Sequence, residues 1–206
     1  MPYSEMDNIT LSLLPLISER ARKEPKLHFT SLAHLLNKKF LRECYLELGR
    51  DRASGIDGVS WQAYGENLDE NLANLVKRMK AKRYRPQPAK RVYIPKNEHE
   101  KRPLGLPSLE DKVVQKGISR ILEAIYEQDF LDSSYGFRPN RSSHDALRAV
   151  DQTIMKRPVR YVIEADIKGF LGHASYYTPV DESWLNSVGL SSNTFILKPL
   201  RFPRHI

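Results

Sequence analysis

The chain of 206 residues contains a single cysteine, Cys44. One thiol can neither close an internal disulfide nor build a Cys-based zinc site. Such usage fits a reducing compartment. Long apolar runs are also missing. The stretch "ITLSLLPLI" at residues 9–17 is too short to span a bilayer, and Glu5 and Asp7 precede it where an export signal would be basic. Neither a membrane span nor a signal peptide is read, so the expected location is cytoplasmic. There is no internal repeat and no low-complexity tract, which excludes repeat architectures. Acidic residues are scarce in one region, since residues 77–102 hold only Glu98 and Glu100. No two aspartates adjoin anywhere in the chain.

What the chain has is positive charge, and the charge is concentrated. The formal net charge is +8, and residues 77–102 alone carry eleven basic side chains against those two glutamates. The rest of the chain is therefore close to neutral. A basic stretch that crosses a helix, a Pro-punctuated loop and a strand favours a phosphate-facing surface over a merely solvated lysine face.

Periodicity and punctuation predict an α/β (α+β) fold with more helices than strands. "SLAHLLNKKFLRECYLELG" reads as one helix capped by Thr30 or Ser31 and ended by Gly49. "DENLANLVKRMKAK" reads as a second, with Leu72, Leu75, Val76 and Met79 on one side. Pro86 and Pro88 end any continuation. "KRVYIPK" reads as a strand, and "NEHEKRP" as a turn into a shorter extended piece. "SLEDKVVQKGISRILEAIYEQDF" is the strongest helix, capped by Ser108 with Glu110 and Asp111 in its first turn. "SSHDALRAVDQTIM" is another, capped by Ser142 or Ser143. "RYVIEAD" alternates as a strand that ends on Asp166. After Phe170 periodicity weakens, and only Lys198, Arg201 and Arg204 are basic.

Four stretches can carry chemistry. "SGIDGVS" brackets Asp57 with two glycines and is, taken alone, a turn. "RVYIPKNEHEKRPLGLPS" sets Lys96 and Arg102 on either side of a turn. Their charges can converge on a triphosphate, or stand solvated on a hairpin. "SSYGFRPNRSSHDAL" gathers Tyr135, Phe137, Arg138 and Arg141. Aromatic and guanidinium groups can stack on bases and hold phosphates, or tack the loop to the core. Asp166 at a strand end suits a magnesium ligand, and equally a plain turn residue.

In this order, "SGIDGVS", "YIPKNEHEKRPLGLPSLEDKVVQ", "FLDSSYGFRPNRSSHDAL" and "YVIEADIKGF" resemble the reverse transcriptases encoded by group II introns. The likeness covers roughly residues 30–170. It implies an incomplete right-hand polymerase: a lead-in (1–29), a fingers-like region (30–160), a first palm strand (161–170) and a divergent tail (171–206). It implies that Lys96 and Arg102 contact an incoming deoxynucleotide triphosphate, and that Tyr135, Phe137, Arg138 and Arg141 line the template and primer path. Arg83, Arg85 and Arg91 would add to the nucleic-acid surface. Asp166 would be the first catalytic aspartate, holding Mg2+ with the backbone of Ile167. The expected partner is RNA, as intron RNA or as template.

The likeness then stops. Leu171 stands where the family places an aromatic against the nucleotide sugar. No Tyr-x-Asp-Asp hairpin follows, and Asp181 and Glu182 are the only acidic residues beyond Asp166. Two-metal catalysis needs carboxylates around ions about 3.5–4 Å apart. The expectation is a truncated or rearranged copy, not competent to polymerise alone. The alternative is a non-catalytic, maturase-like RNA-binding fragment.

Overall fold

The computed structural model describes residues 3–30, 32–95, 97–98 and 101–165. The elements run α1 (Tyr3–Lys23), a 3-10 turn (Ala33–Leu35), α2 (Lys38–Leu46), α3 (Trp61–Glu66), α4 (Leu68–Lys80), β1 (Lys90–Pro95), β2 (Lys101–Leu106), α5 (Leu109–Tyr126) and α6 (Ser143–Lys156). This is an α+β arrangement: helices with one two-stranded antiparallel sheet. No helix among the described residues is long and apolar enough to cross a membrane.

The core is organised on α5. Its buried side chains come in pairs, Val113 and Val114, Ile121 and Leu122, Ile125 and Tyr126, with Ile118 between them. A stripe two residues wide seats two neighbours, and both α1 and α2 pack on α5 while α4 packs on α2. Each buried aliphatic side chain contributes about 1.5–3 kcal/mol. Gly117 permits the close approach, because a Cβ there would lie 2.9 Å from Leu36 Cδ2 and 3.4 Å from Leu41 Cδ2. Ser108 caps α5, its Oγ accepting from the Asp111 amide at 3.2 Å.

The single helix expected over residues 31–49 is in fact a 3-10 turn followed by α2. Asn37 is the cause. Its backbone is extended, and its Oδ1 accepts from the Phe40 amide at 3.0 Å, which starts a new helix mid-run. The break lets Leu35, Leu36, Phe40 and Leu41 all reach the core. Helix α1 carries Pro15 inside it, which masks its helical pattern in the sequence. Short α3 locks onto α2 through a reciprocal tie: Tyr45 Oη donates to the Trp61 carbonyl at 2.7 Å, and Trp61 Nε1 donates to the Tyr45 carbonyl at 3.2 Å. Their rings stack with centroids 4.6 Å apart.

"SGIDGVS" forms a turn pressed against the start of α5. A Cβ on Gly55 would lie 2.6 Å from Ser108 Cα and 2.7 Å from the Pro107 carbonyl. Backbone cannot swing aside as a side chain can. Gly55→Ala is therefore expected to lower stability by about 1–3 kcal/mol, the range for overpacking. A urea midpoint unchanged from wild type would show that the turn yields without cost.

The strand expected at the end of "RYVIEAD" is not formed over residues 158–165, which carry no regular structure. Tyr161, Val162 and Ile163 are 80% or more exposed. Strand backbone needs a neighbour for its hydrogen bonds, and among the described residues none lies beside this segment. Asp166, Ile167, Leu171 and Lys96 lie outside the described residues.

Candidate nucleic-acid interface

The interface begins where α4 ends. Lys82 adopts a left-handed conformation (φ 55°), and the Arg83 amide donates back to the Arg78 carbonyl at 2.8 Å. This closes the helix and drives Tyr84 into the core, 1% exposed. Arg83 and Arg85 stay outside. Arg85 donates to the Lys82 and Tyr84 carbonyls at 3.2 and 2.9 Å, which steadies the turn it sits on.

The hairpin that follows is fastened at its base by one carboxylate. Asp111 is 2% exposed. It accepts from Tyr84 Oη (2.5 Å) and the Gln87 amide (2.9 Å), both ahead of β1, and from Ser108 Oγ (2.7 Å), just past β2. Burial and the Asp111 carboxylate push the Tyr84 phenol well above its usual range, so it remains a donor. Beside this, Arg78 Nη2 lies 2.6 and 2.7 Å from the two Glu110 oxygens. Tyr64 Oη also donates to Glu110, at 3.3 Å. Burial, then Glu110, raises the Tyr64 phenol too. This ring of contacts was not foreseen beyond the cap and the dipole, because its members are distant in sequence.

The register of the hairpin decides which side chains work together. Arg91 faces Gly105, Tyr93 faces Pro103 and Pro95 faces Lys101; Val92 faces Leu104 and Ile94 faces Arg102. Cross-strand partners share a face, and successive residues alternate. Arg91, Tyr93 and Lys101 therefore share one face, and Arg102 shares the other with Val92, Ile94 and Leu104. Val92 and Ile94 are half-buried, while the cations are exposed.

Charges on the helical body are mostly neutralised, as in Lys38 and Arg42 with Asp69, or Arg120 with Glu43 and Glu47. The two cations hold the exposed Asp69 carboxyl down to about 2. Within residues 77–102, Arg78 is the one cation with a carboxylate partner among the described residues. Exposed cations without carboxylate partners, gathered in one stretch of chain, are what a polyanion recognises.

The loop after α5 divides the predicted set. Phe137 is fully exposed, with φ at 57°. A non-glycine residue there costs about 1–3 kcal/mol, and such strain gathers at binding sites. Arg138, expected to face nucleic acid, is instead turned inward. Its guanidinium pairs with Glu127 at 2.6 Å, donates to the Leu131 and Ser134 carbonyls at 2.8 and 2.9 Å, and lies 4.8 Å from the Phe130 ring. Its donors are spent on the loop and the end of α5. Arg141 donates to the Asp132 carbonyl at 2.8 Å and stands 5.5 Å from the Tyr135 ring centroid. Tyr135 and Arg141 are half-buried. Among the described residues no cluster of three or more His, Cys, Asp or Glu side chains could hold a metal.

No protein-family model matches the chain. Curated relatives do. The chain is 33% identical over 171 residues to "Group II intron-encoded protein LtrA" of Lactococcus lactis subsp. cremoris, covering 82% of this chain and 28% of that protein. It is 36% identical over 169 residues to "Protein YkfC" of Escherichia coli (strain K12), covering 75% of this chain and 44% of that protein. It is 30% identical over 161 residues to an "Uncharacterized 91 kDa protein in cob intron" of Schizosaccharomyces pombe, covering 77% of this chain and 20% of that protein. The chain thus spans less than half the length of each of these relatives. On this extent of identity, the chain belongs to the family of group II intron-encoded proteins and matches a part of their length.

Proposed function

We propose that the chain is the RNA-holding part of a group II intron-type reverse transcriptase, and that these 206 residues bind RNA without polymerising. One observation carries this reading: the cations of the hairpin and of the turn before it are exposed and lack carboxylate partners among the described residues. The right-hand polymerase architecture, the deoxynucleotide role of Lys96, Arg102 and Leu171, and Mg2+ at Asp166 and Ile167 rest on resemblance and describe the intact family, the magnesium site being incomplete in these residues. A lone aspartate does not hold two magnesium ions against their hydration.

The test is binding of the whole chain to single-stranded RNA across a salt series. Affinity is expected to fall linearly on logarithmic axes, with a slope of roughly −0.7 per phosphate neutralised. Replacing Arg83, Arg85 and Arg91 together by alanine should flatten the slope by about 2. Salt-independent binding, or none, overturns the reading. In parallel, primer extension on an RNA template with magnesium is expected to give no product. Robust extension would refute the non-catalytic half.

A further inference from the structure

We infer that the two faces of the β1–β2 hairpin take different ligands, and that Tyr93 is a stacking platform for an unpaired base of a single-stranded RNA. This rests on the RNA-binding reading above and adds a residue and a strand state to it.

The inference starts from the register. Tyr93 is 58% exposed in the middle of β1. An aromatic ring held on a strand and left in water forgoes much of the burial it can gain. Its cross-strand neighbour is Pro103, which leaves the ring without a long polar side chain directly opposite. Arg91 lies two residues before Tyr93. Lys101, opposite Pro95, lies two residues beyond it on the partner strand. At about 3.3 Å per residue, the ring is bracketed by cations roughly 7 Å to either side along the strand. Gly105, opposite Arg91, adds no side chain to crowd that end.

A base laid on Tyr93 would direct its flanking phosphates toward Arg91 and Lys101. Stacking needs an open base face. A duplex hides its base faces inside the helix, so the surface suits a single strand. Arg102 cannot share that strand, because its partner Ile94 places it on the opposite face, with Val92 and Leu104. The ribbon thus separates a base-stacking face from a face that carries Arg102 over apolar side chains.

The experiment measures fluorescence anisotropy of labelled RNA with the full chain. Tyr93→Ala is expected to weaken binding to single-stranded RNA by about 5- to 150-fold, the range for one stacked base, and Tyr93→Phe to restore it. Tyr93→Ala should leave the salt slope unchanged, whereas Arg91→Ala should flatten it by roughly 0.7. On an abasic ribose–phosphate strand, wild type and Tyr93→Ala should bind alike. Binding by Tyr93→Ala within twofold of wild type overturns the inference. So does an equal loss on the abasic strand or on duplex RNA. These outcomes leave wild-type, salt-dependent RNA binding intact, so they are distinct from failure of the proposed function.

Discussion

Asp111→Ala is expected to lower stability by about 3–5 kcal/mol and to loosen the hairpin before the helices. The carboxylate gathers three donors from both ends of the ribbon: Tyr84 Oη, the Gln87 amide and Ser108 Oγ. Tyr84 and Ser108 are each 1% exposed, so water cannot replace what is lost. A buried donor left unmet costs about 1–3 kcal/mol. A lone two-stranded ribbon is marginal in water, and this one depends on its base. Hydrogen exchange should therefore show residues 90–95 and 101–106 losing protection while α5 retains it. Tyr84→Phe removes one donor and leaves the carboxylate two, and its cost should be about 1 kcal/mol. Wild-type protection of the hairpin amides in Asp111→Ala would show that the strands hold themselves.

The second large effect is expected at Arg138. Its side chain is 6% exposed while that of Glu127 is 26% exposed, so water reaches the carboxylate left behind, and the loss of the guanidinium's charged and carbonyl contacts is expected to cost about 2–3 kcal/mol. Arg138→Ala strands the Glu127 carboxylate and frees the Leu131 and Ser134 carbonyls. The loop at residues 131–141 should open to limited proteolysis, and Phe137 should lose its fixed placement. Arg138→Lys is expected to recover only part of the loss, because an ammonium cannot reproduce the planar fork that serves three acceptors. An Arg138→Ala chain that melts with wild type and resists the protease would assign the contacts no weight.

These two residues also show how far the sequence could be read. Caps are local, so Ser108 was legible from its neighbours alone, and the cap of α6 was narrowed to Ser142 or Ser143, of which the structure uses Ser142. The hairpin was legible because its prolines and alternation are local too. Asn37 was not: the apolar rhythm runs through it, and only its side-chain bond to Phe40 reveals the break. Arg138 and Arg91 look alike as letters. What separates them is Glu127, eleven positions away, which folds one guanidinium inward. Asp111 read as a complement to the helix dipole, because Tyr84 stands twenty-seven positions off and nothing local announces it. The faces of the hairpin became legible only with the register, since a slip of one residue would put Arg102 in place of Lys101 on the face of Arg91 and Tyr93.

Helix α6 marks another limit of pattern reading. Its capping box at Ser142 and Asp145 is complete, and the Asp145 carboxyl is held at about 2 by Ser142 and Arg148. None of its side chains is buried. Leu147, Val150 and Ile154 are each half or more exposed. Amphipathic rhythm states which side of a helix wants cover, not whether cover is present.

The reciprocal tie between Tyr45 and Trp61 has an optical consequence. The chain holds two tryptophans, Trp61 and Trp184. Trp61 is clamped between the Tyr45 ring and the Arg50 guanidinium, 5.2 Å from its centroid, so its emission depends on the α2–α3 junction staying shut. With Trp184 replaced by phenylalanine, the protein would carry a single tryptophan, at a joint of its core, which can be excited apart from the ten tyrosines. Opening of that joint would be visible as a change of colour, without any label on the hairpin.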